Sequence, residues 1–106
     1  MDQEEAYEHY IALPPMFRAL GMDWRGQRKK LANHPTLSRH TLGRRVMTAS
    51  GEHVMTCIRA EHLMDLLRGI RLNMLAPDVR ERVEYHLANE GAELLQHFRV
   101  TKRLDL

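Results

Sequence analysis

The chain has 106 residues, 43% of them hydrophobic and 28% charged, with a formal net charge of +2. That supports one globular domain with its own core and not two. A single cysteine, Cys57, excludes an internal disulfide framework, and no apolar run approaches the roughly 20 residues of a membrane-spanning helix.

The first residues carry Asp2, Glu4, Glu5 and Glu8. An acidic start is not the basic opening of a signal peptide, so the chain is expected in a cytoplasm. Residues 1–9 read as a flexible acidic lead, and residues 10–13 as a candidate strand. Pro14 and Pro15 open a helix, because proline in the first turn gives up no needed N–H. Met16, Phe17 and Leu20 form its apolar stripe, and Gly21 is its left-handed stop. Asp23 is placed to cap a second helix. Trp24, Gln27, Arg28 and Leu31 share one side of it at helical spacing, which opens Arg28 to partial burial. Arg25, Lys29 and Lys30 point outward. Pro35 ends the helix, since the residue before proline avoids the helical region.

Residues 45–58 read as a β-hairpin. Val46, Met47 and Thr48 face Val54 to Ile58 across a turn at Ser50-Gly51. A third helix is predicted over residues 60–68, followed by a connector with apolar Ile70, Leu72, Met74 and Leu75. The last helix starts at Pro77 and is expected to run to about residue 99, with the stripe Val79, Val83, Leu87, Leu94 and Phe98 and a soft spot at Gly91. That stripe is able to serve the core alone or a homodimer as well. Residues 101–106 read as a frayed tail. The fold class is therefore α+β and helix-rich: one small domain over residues 1–106, about four helices and one hairpin.

Catalytic chemistry is missing from the pattern. The seven histidines form no HExxH, and CxxC, P-loop and GxGxxG motifs are absent. Cys57 reads as a small core residue rather than a nucleophile. Neither an enzyme, nor a cofactor, nor a bound metal is expected. Charge is the stronger signal. Arg18, Arg25, Arg28, Lys29, Lys30, Arg39, Arg44 and Arg45 are opposed within their segment only by Asp23. Such a segment is a solvated face, or it meets a polyanion or an acidic protein surface.

The residues Leu20-Gly21-Met22-Asp23-Trp24, Gln27-Arg28 and Lys30-Leu31 resemble the LGLDW-x-x-QR-x-KL segment of the phage antirepressor N-terminal domain family. His34 to Ser38 resembles the turn that follows it there. Val46-Met47-Thr48 with Gly51, then Leu63, Leu66, Leu67, Gly69 and Ile70, then Pro77, Val79 and Arg80, are similar to later family elements in the same order. The resemblance covers residues 10–98. It implies a phage or prophage protein that acts in the host cytoplasm by binding a phage repressor and releasing its operator DNA.

On that basis Arg25, Arg28, Lys29, Lys30, Arg44 and Arg45 are the candidate partner-binding residues. Two alternatives stay open. One is an anti-CRISPR protein that blocks a CRISPR effector subunit. The other is a regulator that binds nucleic acid directly, with Gln27 and Arg28 as the side chains able to read bases. A strongly acidic DNA mimic is excluded by the charge.

Overall fold

The computed structural model describes residues 7–103 of the chain. In chain order they form β1 (Tyr7–Ala12), α1 (Leu13–Leu20), α2 (Trp24–Ala32), β2 (Thr41–Thr48), β3 (Gly51–Arg59), α3 (Leu63–Arg68), α4 (Pro77–Ala88), α5 (Ala92–Phe98) and β4 (Arg99–Arg103). Short 3-10 turns precede β2, α3 and α4.

The strands make one antiparallel sheet in the order β2-β3-β1-β4. Alternation along each strand divides its side chains between two faces. Ile11 pairs with Ile58 across β1 and β3, and both are buried beneath the helices with Met16, Phe17, Leu20, Leu63, Leu67 and Leu94. Each such side chain contributes about 1.5–3 kcal/mol by leaving water. The other face holds a smaller cluster of Tyr10, Ala12 and Cys57, bordered by Leu42, Val46, Met55 and Val100.

Helix α1 carries its prolines in the first turn and buries Leu13, Met16, Phe17 and Leu20. It stops at Gly21, whose φ of 83° is left-handed. The Gly21 N–H donates to the Arg18 carbonyl at 3.0 Å and that of Met22 to Phe17 at 2.9 Å. Arg82 of α4 donates to the Leu20 carbonyl at 3.1 Å, and a Cβ at Gly21 would run into that guanidinium. The end of α1 is thus pinned from a distant part of the chain. Asp23 caps α2 as its position implies, its carboxylate accepting from the Arg25 N–H at 3.3 Å.

The structure departs from the sequence reading in four places. The hairpin is one half of a four-stranded sheet: the candidate strand at residues 10–13 is present through Ala12 as part of β1, which pairs with β3, and an unexpected β4 pairs with its other edge. Its own strands are longer than residues 45–58 and leave only Ala49 and Ser50 to turn. The helix from Pro77 does not reach residue 99. It breaks at Asn89 to Gly91, where Glu90 and Gly91 both have positive φ, so the described residues contain five α-helices rather than four. Gly91 is buried, and a Cβ there would stand 3.0 Å from Leu63 Cδ2. The break lets Leu94 enter the core beside α3. Finally, residues 7–9 and 101–103 fall in paired strands, Tyr10 facing Val100 and His9 facing Thr101. The polar run Arg99-Val100-Thr101-Lys102-Arg103 has little apolar signal of its own and is strand because β1 takes up its backbone groups. The rest of both predicted flexible ends lies outside the described residues.

Candidate functional site

Helix α2 has a divided surface. Leu31 is buried, Trp24 and Gln27 are half-buried, and the remaining basic positions face outward. Trp24 stacks on Phe17, ring centroids 5.8 Å apart, and packs against the main core. Its place is structural. Arg25, Arg28, Lys29 and Lys30 are all exposed, and none forms an ion pair with a described residue. Arg28 is fully among them: of the two, Gln27 and not Arg28 is half-buried.

The two candidates on β2 are differently placed. They point to opposite faces of the sheet. Arg45 is 82% exposed and pairs with Glu52 at 3.5 Å. Arg44 is 20% exposed and lies over the Tyr10 ring, its guanidinium carbon 4.7 Å from the centroid. It donates to the Tyr10 hydroxyl at 3.1 Å and sits 3.8 Å from Glu8. Arg59 approaches the same ring and the same carboxylate. Arg44 is therefore a lid over the second core. Beneath it, burial pushes the Cys57 thiol up to about 11 against the opposing pull of the Arg44 charge. That thiol stays protonated at neutral pH.

Beside α2 lies a groove of about 600 Å³ between the helix and the connector that follows α3. Its floor is apolar: Leu31, Leu37 and Leu66, with Met22, Ile70 and Leu75 alongside. Lys30 stands on the α2 side, Arg71 and the 74%-exposed Met74 on the connector side, and no carboxylate is among the described residues that line it. The turn at its end is held by His34, whose Nδ1 accepts the Thr36 and Leu37 N–H groups at 3.1 and 3.0 Å. Those bonds put the ring proton on Nε2. Sequence reading identified Lys30 but not the groove. The available signal was the connector, too apolar at Ile70, Met74 and Leu75 for a solvated link.

The histidines are scattered. His40 and His62 stack with centroids 3.8 Å apart, and His62 contacts Asp65 at 3.5 Å. Among the described residues no group of three or more His, Cys, Asp or Glu side chains is placed to hold a metal ion. No helix there is long and apolar enough to cross a membrane.

Fold and surface together define a small α+β domain with a basic helix, whose cations form no ion pair with a described residue, next to an apolar groove. A family model described as the P22_AR N-terminal domain matches residues 1–103, and the chain belongs to that family, the phage antirepressor N-terminal domains. The match extends past residues 10–98 at both ends and takes in all four strands. No curated protein and no solved structure matches the chain.

Proposed function

We propose that this chain is a non-enzymatic inhibitor that acts in the host cytoplasm by occupying a phage repressor, so that the repressor no longer holds operator DNA. The observation that carries this reading is the family match over nearly the whole chain. The surface that would do the work is α2 with the groove beside it.

Two features favour a protein partner over DNA. Duplex DNA neutralises cations but brings no apolar segment to fill a 600 Å³ groove. A protein surface supplies both acidic groups and apolar side chains, the usual composition of an interface rim and core. Arg44 is taken up by Tyr10 and Glu8, so it contributes field rather than contact. The contact residues are Arg25, Arg28, Lys29 and Lys30.

The test is capture of partners by the tagged chain from a lysate of lysogenic cells, with and without nuclease, read by mass spectrometry. A nuclease-resistant phage repressor is the expected result. A nuclease-resistant CRISPR effector subunit would replace the repressor with a different target. Partners that vanish with nuclease would overturn the reading in favour of direct DNA binding.

A further inference from the structure

The floor of the groove beside α2 is made by residues that belong to the core, yet its mouth is open. Met74 is 74% exposed at the lip, as Met47 and Val54 of the sheet are at 73% each. Methionine is flexible and polarisable, and suits surfaces that adapt to an inserted side chain. The volume, about 600 Å³, falls within the roughly 300–1,000 Å³ of sites that enclose ligands. It takes several side chains rather than one.

Charge decides what enters. Lys30 of α2 and Arg71 of the connector both line the groove, and no Asp or Glu is among its described lining residues. Of the acidic residues on the flanking helices, Asp65 of α3 pairs with His62 and Arg68, and Asp23 caps the N-terminus of α2. An occupant with flanking carboxylates is attracted, and one with flanking lysines is repelled.

Backbone chemistry decides the form. The described lining comes from the link before α2, α2 itself, the turn after it, the end of α3 and the connector, and none of it from a strand. The groove therefore offers no ladder of N–H and C=O groups to an extended peptide. An entering segment has to satisfy its own backbone, which a helix does.

We propose that this groove receives a short amphipathic helix of the partner protein, with apolar anchors at i, i+3 or i+4, and i+7 seated on Leu31, Ile70 and Leu75, and carboxylates paired with Lys30 and Arg71. The proposal rests on the reading of the chain as a protein-binding inhibitor and adds the partner's chemistry to it.

The test is selection of random 16-residue peptides displayed on a filamentous particle against the full chain, followed by solution affinities of the enriched peptides. Enrichment of helical sequences with the i, i+3/i+4, i+7 apolar spacing and flanking Asp or Glu is expected. Their affinity should fall at least tenfold in Lys30→Glu/Arg71→Glu and in Met74→Asp, all exposed positions whose change leaves the fold intact by circular dichroism. Peptides that are basic or neutral, that bind both variants unchanged, or that are not enriched at all overturn the proposal. So does sedimentation showing that the chain pairs with itself and that Met74→Asp dissolves the pair. Failure here is separable from failure of the function. If Met74→Asp captures the repressor as the wild type does, the groove is wrong and the inhibitor stands. If groove-binding acidic helices are enriched but the lysate yields no regulator of DNA, the inhibitor is wrong and the groove stands.

Discussion

Helix α2 and the sheet carry cations of the same kind in opposite circumstances. On the sheet, Arg44 and Arg59 share Glu8 and flank the Tyr10 ring, and the arginine stems close the second core. On α2, four cations project into water with no described partner. A surface charge that the fold does not use costs little to keep and is free to meet another molecule. A charge laid over an aromatic ring is held by that ring and is spent on stability. Similar residues, nineteen positions apart in the case of Arg25 and Arg44, thus belong to different links of the chain from packing to function.

The comparison breaks most severely at Tyr10. Tyr10→Ala removes a fully buried ring together with the support of both arginines, and a loss of about 3–5 kcal/mol in urea-unfolding free energy is expected. A loss under 1 kcal/mol would mean that the second core is not structural.

Cys57, beneath the same lid, supplies a pH test. Its folded-state value is raised from 9.0 to about 11, so the folded state favours the thiol over the thiolate. The stability it contributes is complete below pH 9.0 and is lost as pH rises through about 11. The expected size is about 2–3 kcal/mol, and Cys57→Ala should flatten that part of the alkaline limb. Iodoacetamide at pH 8 should label Cys57 slowly in the native protein and rapidly in urea. Rapid native labelling would contradict its burial.

Arg44 separates charge from packing. Arg44→Ala is expected to cost about 1–2 kcal/mol, since it uncovers the Tyr10 ring and removes a hydrogen bond. Arg44→Met should cost less, because the aliphatic stem still covers the ring and a buried Nε without a partner disappears. Equal losses would assign the effect to charge alone.

On α2 the smallest effect on folding accompanies the largest on binding. Lys29→Glu/Lys30→Glu is expected to leave unfolding free energy within about 0.5 kcal/mol of wild type. The same variant should weaken binding of the proposed repressor partner by about tenfold or more, measured by titration calorimetry. Unchanged binding would remove α2 from the interface.

Much of the helical part was legible. Pro14-Pro15 and Gly21 bracket α1, and Asp23 starts α2, because caps act through bonds to neighbours along the chain. The family resemblance was legible for the same reason: its motifs sit at caps, stops and turns. The sheet was legible at the β2–β3 turn and in part at β1, where residues 10–12 of the candidate strand at 10–13 pair with β3. β4 has no apolar alternation, and its partner β1 lies about ninety residues away, as His9 facing Thr101 illustrates. The helix break at Gly91 was marked as a weakness but not as a break, since continuing the stripe to Phe98 satisfied the local pattern. The second core beneath Arg44 and the groove beside α2 were both missed, each being assembled from segments distant in sequence.

What the sequence determined by itself was local and chemical. It specified a single α+β domain, the start and stop of its first helices, a concentrated basic segment and membership in a phage antirepressor family. Tertiary structure alone decided which of those cations remain available. Arg44 is withdrawn because β2 places it beside a ring from β1, while Lys30 is left at the lip of a groove because α2 and the connector from α3 meet over a shared apolar floor. Side-chain identity sets what a residue is able to do, but burial and partners are properties of the packed chain, and they decide whether it does so for the fold or for another molecule.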